Sequence, residues 1–400
     1  MKLLPVAGID VGKNFSEMAI LTPTNEIYAR MKIQHDSYHD IDKAVQLLKN
    51  VEKDFGAKPV IIMESTGHYH KILFYSLNKL GYEVSATNPI QTNSIKNVGI
   101  RKVKNDKVDA RKIALLYRLG EISFTKIPDA KLDCLKSLCR QYYSLSDELT
   151  AYKNRLTAVV DQLMLNFSHV FKDIWSLTAL AVLEHYPSPR HILEADRQEL
   201  ITLMRKTSRM GLKWATNKYE LLCSKAKDFE PLSIDSAANL TMLKINITMI
   251  RTLSDSLKSI IDAIHQLLKE DAVKDAPAMA PIIELLCTIP GIGVLTAATI
   301  LSEVKDFSLF AKPDKLAAFF GIDPSVTQSG NFEGTRNKMS KRGAKLLRRV
   351  LFTIALLNIG KKSNGELSNP VLRDFYQKKC ISKPKMVAIG AVMHKLVYSP

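Results

Sequence analysis

The chain has 400 residues, with 57 Lys and Arg against 40 Asp and Glu, a net charge of +17. At about 100–200 residues per domain, this length predicts two or three domains. The composition, 46% hydrophobic and 24% charged, excludes global disorder. Because the positive excess is larger than solubility requires, it predicts a polyanionic partner, either nucleic acid or an anionic membrane surface.

The longest stretch of low charge, residues 281–301, argues against a membrane partner. It contains Glu284 and is broken by Pro290, Gly291 and Gly293, so it is not one spanning helix. No apolar segment of a secretory signal precedes Asp10, and we expect a cytoplasmic protein. The five cysteines are scattered and lack a CxxC pair, which favours buried, inert thiols over a disulfide framework or a zinc site.

The first 120 residues alternate strand-like and helix-like segments. Apolar runs predict five strands, at residues 6–11, 16–21, 27–33, 59–64 and 83–86. Helical patterns fall at about residues 37–55, 68–80 and 106–119. The first three strands form a meander, and the fourth is apolar enough to be buried on both faces. The order β-β-β-α-β-α-β-α indicates an α/β sheet covered by helices.

The middle of the chain has a different pattern. Apolar residues three and four apart form two heptad seams, from Tyr142 to Leu163 and from Leu240 to Leu268. Such seams suit two long helices packed within one chain and a dimerising arm equally well. We therefore predict three regions: an α/β domain at 1–125, a coiled-coil and helical region at 126–275, and a mostly helical C-terminal domain at 276–400.

The C-terminal region carries two nucleic-acid signals. Residues 285–301 have the pattern of a helix-hairpin-helix, although such turns are as often only structural. Its Gly291 and Gly293 allow a tight turn whose backbone N–H groups can hold a phosphate. Residues 329–362 then carry nine Lys and Arg against one acid, Glu333. We expect further phosphate contacts here from Arg336, Lys338, Lys341, Arg342 and Arg348.

Four carboxylates of the first region form a candidate metal site. Asp10 lies in the first strand, Glu64 ends the fourth, and Asp106 and Asp109 open the last helix. If the two strands are neighbours, all four carboxylates converge at one edge, where oxygen ligands suit Mg²⁺ or Mn²⁺. Taken alone, Asp106 is better explained as a helix N-cap and Asp109 as a first-turn residue, and it is the set of four acids that favours a metal site. Phosphate-binding charge next to this site comes from Lys102, Lys104, Lys107 and Arg111.

Several motifs occur in the order of a known family. They are residues 6–13 (VAGIDVGK), 63–67 (MESTG), 104–110 (KNDKVDA), 289–293 (IPGIG), 318–324 (AFFGIDP), 328–330 (QSG) and 340–343 (SKRG). The sequence resembles the DEDD insertion-sequence transposases, the family numbered one-ten, which is also similar to the Piv-type DNA invertases. The resemblance implies an α/β, RuvC-like (RNase H type) N-terminal domain whose four acids fall on Asp10, Glu64, Asp106 and Asp109. It also implies a mostly α C-terminal transposase domain whose catalytic serine falls on Ser329, a position that local sequence alone reads as turn chemistry.

The resemblance also implies an activity and partners. We expect a transposase and site-specific recombinase of an insertion sequence, dependent on Mg²⁺ or Mn²⁺, in which Ser329 forms a phosphoserine intermediate. A bridge RNA would pair with donor and target DNA, and a homo-oligomer, dimer to tetramer, would act at the prokaryotic nucleoid. Two alternatives stay open: a RuvC-like nuclease of the junction-resolvase type that uses water, and a non-catalytic basic scaffold that binds nucleic acid.

Overall fold

A computed structural model describes residues 4–65, 67–87, 106–121, 130–272, 279–324, 328–329, 332–333 and 338–398. The chain divides into two compact units, Met1–Pro128 and Asp129–Pro400. The finer division into three regions stays a prediction. Within the described ranges, no helix combines the length and the apolar character that crossing a membrane requires.

The first unit is built on a mixed sheet. Its strands are β1 (Val6–Val11), β2 (Phe15–Leu21), β3 (Ile27–Gln34), β4 (Val60–Glu64) and β5 (Val84–Thr87), and its described helices are α1 (Tyr38–Phe55), α2 (His70–Lys79) and α3 (Asp106–Arg118). The strand order is β3-β2-β1-β4-β5, with β1 to β3 antiparallel and β4 and β5 parallel to β1. The predicted α/β sheet and its element order are confirmed for the described residues.

Both faces of the central strands are covered. On one face, Ile9 and Met63 belong to a core that α1 and α2 complete. On the other face, Val6 and Ile62 pack with Ile113 of α3. Because successive strand residues point to opposite faces, strands covered on both sides need apolar residues at nearly every position. This explains the unbroken apolar runs, and it makes the charged residues in them conspicuous.

The second unit is mostly helical. Its helices are α4 (Ala130–Met164), α5 (Phe167–Val170), α6 (Leu177–His185), α7 (Pro189–Glu194), α8 (Arg197–Ser208), α9 (Leu212–Phe229), α10 (Ala237–Ala272), α11 (Ala280–Cys287), α12 (Val294–Val304), α13 (Pro313–Phe320), α14 (Lys345–Ile359), α15 (Pro370–Ser382) and α16 (Lys385–Tyr398). Short 3₁₀ turns occupy Glu230–Leu232 and Phe307–Leu309, and a two-stranded hairpin comprises β6 (Gln328–Ser329) and β7 (Phe332–Glu333). The prediction of helices after an α/β sheet is confirmed.

The two predicted seams lie on α4 and α10, which pack on each other. Leu156 and Val159 of α4 share a core with Leu243 and Ile247 of α10. At the other end of the pair, Ile264 enters a second core with α11 to α16. Packing within one chain thus uses these seams, whereas a regular coiled coil and a dimerising arm stay predictions.

The cysteines differ from the expectation in one respect. All five are free, as predicted, but only Cys139 is buried, whereas Cys134 is exposed. The two lie five residues apart on α4, which places them on different sides of the helix. Burial raises the pKa of the Cys139 thiol, so this side chain remains protonated and inert.

Candidate active site

Carboxylates occupy three adjacent strands at one end of the sheet. In the antiparallel pairing of β1 with β2, Asp10 lies opposite Glu17. In the parallel pairing of β1 with β4, Ile9 lies opposite Met63, so the next positions in that register are Asp10 and Glu64. Neighbouring strands are about 5 Å apart, and residues in register point to the same face. Glu17, Asp10 and Glu64 therefore form a row, called here the carboxylate row.

The carboxylate row lies on the α3 side of the sheet. Val6 and Ile62 point into the core beneath α3. Asp10 follows Val6 by four residues and Glu64 follows Ile62 by two, so the period of two assigns them to that face. Glu64 is only 7% exposed and is the last residue of β4.

Helix α3 crosses this face at Gly8. A Cβ atom on Gly8 would lie 2.1 Å from the carbonyl oxygen of Ala110 and 2.7 Å from the backbone nitrogen of Ala114. At the far end of the helix, the Arg118 guanidinium donates to the carbonyl oxygen of Leu4, 2.6 Å away, just before β1. The helix therefore runs antiparallel to β1, with its N-terminus toward the carboxylate row.

The N-terminus of α3 supplies the other two predicted acids. Asp109 is 7% exposed, and its Oδ1 lies 3.5 Å from Nζ of Lys112 on the next turn. Asp106 is the first residue of α3, and its side chain lies outside the described residues. Among the side chains that the structure describes, no three Asp, Glu, His or Cys groups lie close enough together to hold an ion.

Glu17 was not among the predicted acids. It is 7% exposed, and although Lys32 lies opposite it on β3, its side chain makes no hydrogen bond or ion pair with the residues that the structure describes. A carboxylate buried in this way is costly unless a cation compensates it. The signal was present in the sequence, because Glu17 interrupts an apolar strand just as Asp10 does.

The donor set fits a hard divalent cation. The carboxylate row and Asp109 offer only oxygen atoms, which Mg²⁺ and Mn²⁺ prefer. No described His or Cys joins them in a metal-binding group. A cation held here would offset the repulsion among adjacent carboxylates and the cost of burying Glu17 and Glu64.

Gly8→Ala is expected to destabilise the first unit by about 2 kcal/mol and to displace α3, since the nearest atoms are backbone and have no room to yield. Hydrogen exchange at Ile113 and Ala114, together with thermal unfolding, measures both effects. Gly211→Ala is the matched control, because a Cβ there meets nothing within 4 Å and its φ is −73°. Unchanged protection of α3 in the Gly8 variant would contradict the close approach.

The predicted nucleophile lies in the second unit, on the hairpin of β6 and β7. Ser329 pairs with Phe332 and Gln328 with Glu333. The side chain of Ser329 is outside the described residues. The hairpin belongs to the segment 325–337, called here the serine loop.

A backbone clasp closes the base of the serine loop. Pro324 and Met339 form an antiparallel bridge across it. A Cβ atom on Gly343 would lie 2.1 Å from the carbonyl oxygen of Phe319 and 2.3 Å from the backbone nitrogen of Gly321. The motifs at 318–324 and 340–343 are therefore two sides of one contact, in which only glycine fits.

The predicted basic contacts are distributed unevenly. Arg111, Lys338, Lys341 and Arg342 are exposed, as phosphate contacts require. Arg348 is half-buried, and its guanidinium donates to the carbonyl oxygen of Phe320, 3.2 Å away, so it supports the clasp. Three further predicted contacts, Lys102, Lys104 and Arg336, lie outside the described residues. The backbone of Lys107 is described as part of α3, but its side chain is not.

The glycine turn between α11 and α12 packs against α14. Gly291 has φ +84°, and a Cβ there would lie 3.2 Å from that of Leu357. Asn358 donates to the carbonyl oxygen of Pro290 at 2.7 Å. These contacts give the turn a structural role, and phosphate binding by Gly291 and Gly293 stays a prediction.

Comparison with known families agrees with this arrangement. Residues 7–165 match a transposase family described as DEDD_Tnp_IS110, and residues 283–377 match the "Transposase IS116/IS110/IS902 family". The first match covers the sheet with acids on adjacent strands, and the second covers the clasped serine loop, so both matches assign the chain to the DEDD class of transposase families. Within that class, the chain belongs to the IS110 family.

Three curated relatives are similar over parts of the chain. The "Insertion element IS110 uncharacterized 43.6 kDa protein" of Streptomyces coelicolor is 24% identical over 70% of this chain and 64% of its own length. The "Pilin gene-inverting protein" of Moraxella bovis is 32% identical, over 37% of this chain and 43% of its own. The "Transposase for insertion sequence element IS1111A" of Coxiella burnetii is 41% identical, over 16% of this chain and 17% of its own. The chain thus matches less than two thirds of the length of each.

Proposed function

We propose that this chain is the transposase and site-specific recombinase of an insertion sequence, cutting and rejoining DNA through a covalent phosphoserine. The observation that carries the proposal is the register of β1 and β4, which makes Asp10 and Glu64 neighbours beneath the N-terminus of α3. This arrangement supports a RuvC-like, RNase H type catalytic domain. The printed names of the relatives, a transposase and a gene-inverting protein, favour the same class of reaction.

In the proposed reaction, the Oγ atom of Ser329 attacks a DNA phosphorus atom. One Oγ–P bond forms and one P–O bond of the DNA strand breaks. The serine gives up its proton, and the departing DNA oxygen takes one up and becomes a free hydroxyl. Because the phosphodiester energy is kept in the protein–DNA bond, a second DNA hydroxyl can displace the serine and rejoin the strand without an external energy source.

The carboxylates are proposed to hold the divalent metal. Mg²⁺ or Mn²⁺ bound by Asp10, Glu64, Asp106 and Asp109 would supply charge stabilisation for phosphodiester displacement. The chain's own groups orient the metal site: the sheet aligns the first two acids, and α3 positions Asp109 over them. Lys112, which pairs with Asp109, adds a positive charge at the same edge.

The proposed partners are donor and target DNA, a bridge RNA made from the element, and further copies of the chain in a dimer or tetramer. The net charge of +17 supports binding to polyanions. Recombination between two DNA molecules needs at least two strand-cutting centres, which supports an oligomer. Base pairing by an RNA would supply sequence specificity that the basic surface alone does not provide.

The decisive experiment traps the phosphoserine. Labelled DNA of the encoding element with its flanks is incubated with the purified chain and Mg²⁺, and denaturing gels detect protein–DNA adducts. We expect an adduct from the unaltered chain and none from Ser329→Ala, while Ser325→Ala, in the same serine loop, behaves as the unaltered chain. If Ser329→Ala still cleaves at the original rate and no adduct forms, water is the nucleophile and the protein is a RuvC-like nuclease.

RNA guidance is tested on the same preparation. Nucleic acid that co-purifies with the chain is sequenced, and enrichment of RNA encoded next to the element is expected. Recovery of random cellular RNA alone would contradict guided recognition. It would not affect the phosphoserine mechanism, which the adduct assay tests separately.

A further inference from the structure

A basic groove lies next to the clasp in the second unit. It has a volume of about 1100 Å³ and runs between residues 338–341 and the helices α15 and α16. We call it the C-terminal groove and define it by its basic lining residues, Lys338, Lys341, Lys379, Lys383, His394 and Lys395. None of its described lining residues is acidic. The groove lining therefore concentrates positive charge.

Apolar and aromatic side chains complete the lining. Met386 is 65% exposed, Val387 51% and Tyr398 39%, so exposed apolar side chains cluster along this groove. The Tyr398 ring stacks on that of His394, with centroids 4.5 Å apart. Phe375 lies deeper, with Lys395 Nζ 5.1 Å from its ring centroid. Cations beside exposed apolar and aromatic faces are the combination that binds unpaired nucleotides.

Backbone geometry fixes one wall of the groove. Lys341 has φ +55°, a conformation that residues other than glycine rarely adopt. Its backbone N–H donates to the carbonyl oxygen of Gly321 at 3.1 Å, within the clasp. Strained backbone of this kind persists only where the surrounding structure holds it. Lys341 is thereby held both at the base of the serine loop and on the groove wall.

We propose that the C-terminal groove binds a single-stranded segment of the DNA substrate, beside the phosphodiester that Ser329 attacks. The proposal rests on the proposed function, because it takes DNA as the substrate. The groove lies next to residues 325–337 in the chain, because Pro324, Met339 and Lys341, which flank that segment, line it. Lysines then contact the phosphates of the DNA strand, and Met386, Val387 and Tyr398 contact its bases.

Other occupants fit less well. The volume exceeds that of most small-molecule sites, which hold about 300–1,000 Å³. An acidic peptide would satisfy the lysines, but its position would have no relation to the serine loop. A DNA strand accounts for the charge, the exposed apolar side chains and the location together.

The test compares two double variants of equal charge. Lys379→Ala with Lys383→Ala removes two groove lysines. Lys378→Ala with Lys385→Ala removes two lysines close to them in sequence, on α15 and at the start of α16, that do not line the groove. Fluorescence anisotropy without divalent metal measures the full chain's affinity for single-stranded DNA, duplex DNA and single-stranded RNA of one sequence. Thermal unfolding verifies that both double variants remain folded.

We expect the groove variant to bind single-stranded DNA about tenfold or more weakly, with a log–log salt slope smaller by about 1.4, or 0.7 for each lost phosphate contact. The control should change affinity less than threefold. Tyr398→Ala should weaken the same binding about tenfold, because base stacking is lost. Equal losses in both double variants, or a groove loss confined to RNA or duplex DNA, would overturn the proposal.

The adduct assay separates this proposal from the proposed function. The groove variant should form less adduct at low DNA concentration and regain it at saturating DNA, because Ser329 is intact. Ser329→Ala should keep full affinity for single-stranded DNA. If Ser329→Ala still cleaved DNA and formed no adduct, the phosphoserine mechanism would be overturned. The groove proposal would then depend only on the binding comparison of the two double variants.

Discussion

Asp10→Asn is expected to lower the DNA-cleavage rate about a thousandfold or more while leaving the chain folded. The substitution keeps the size of the side chain and removes its charge. If Asp10 holds the metal, loss of this ligand removes charge stabilisation of several kcal/mol, and about 4 kcal/mol corresponds to a thousandfold in rate. The central place of Asp10 in the carboxylate row makes this the most sensitive position of the site.

The same substitution is expected to stabilise the metal-free chain slightly. Asp10 lies between Glu17 and Glu64, and like charges opposite each other in a sheet destabilise it by up to about 1 kcal/mol per pair. A residue that costs stability yet is needed for activity is typical of a functional site. A merely structural carboxylate would show the opposite pattern, losing stability when neutralised.

Three measurements check this prediction. Cleavage rates give the activity, thermal unfolding without metal gives the stability, and calorimetric titration with Mn²⁺ gives the metal affinity, which should fall in the variant. Asp42→Asn is the control, because Asp42 is exposed on α1, across the sheet from the carboxylate row. No cleavage by the unaltered chain, no Mn²⁺ binding, and unchanged nucleic-acid binding in both Asp10→Asn and Glu64→Gln would favour the non-catalytic scaffold.

The sheet and most of its acids were predictable because local patterns determine them. The apolar runs of β1 and β4 require burial on both faces, and charged residues inside such runs signal a function. Glu17 carries the same signal. Its place beside Asp10 depends on the register between β1 and β2, which neither strand encodes alone.

The clasp and the C-terminal groove depend on contacts between distant segments. A glycine near residue 321 predicts a turn, but its contact with Gly343 follows from the packing of α13 and α14. Arg348 looked like one more phosphate contact in a basic run, yet its guanidinium bonds to the Phe320 carbonyl oxygen. Charge counting identifies basic segments and does not separate cations that support the fold from cations that face a ligand.

A buried ion network joins α4 to α12. Glu303, only 3% exposed by side chain, accepts from the Arg140 guanidinium at 2.5 and 3.0 Å, and Nζ of Lys136 lies 3.0 Å from its Oε2. Nearby Lys305 is partly buried, which lowers its pKa, and the charges of Lys136 and Arg140 lower it further. Glu303 therefore pairs with two cations at the junction of the long helix with the C-terminal core, and Asp133 and Glu303 both favour the charged form of Lys305.

This network makes the stability of the second unit dependent on pH. Burial alone would raise the pKa of Glu303, but the hydrogen bond from Arg140 and the charges of Lys136 and Arg140 outweigh it and hold the pKa below the usual 4.5. A carboxyl whose folded pKa is depressed contributes stability above its unfolded pKa. The contribution is lost as the pH falls through the folded value. At neutral pH it is fully present.

Glu303→Ala is expected to destabilise the second unit by about 3 kcal/mol at neutral pH. Removing one partner of a buried pair leaves the other charges without compensation, and the exposure of Arg140 keeps the loss at the lower end of the usual range. Urea unfolding followed by the fluorescence of Trp175 and Trp214, both in this unit, measures the loss.

A control at Glu194 and the pH profile of Glu303→Gln distinguish the Glu303 network from an ordinary surface ion pair. Glu194→Ala breaks an exposed pair with Arg190 and should cost less than about 0.5 kcal/mol. Glu303→Gln should lose less than Glu303→Ala, because its amide oxygen still accepts from Arg140, yet it should remove the acid-side fall in stability. If Glu303→Gln kept the pH profile of the unaltered chain, another carboxyl would be responsible. If Glu303→Ala cost no more than Glu194→Ala, solvent rather than Glu303 would compensate Lys136 and Arg140, and the junction would be held by apolar packing alone.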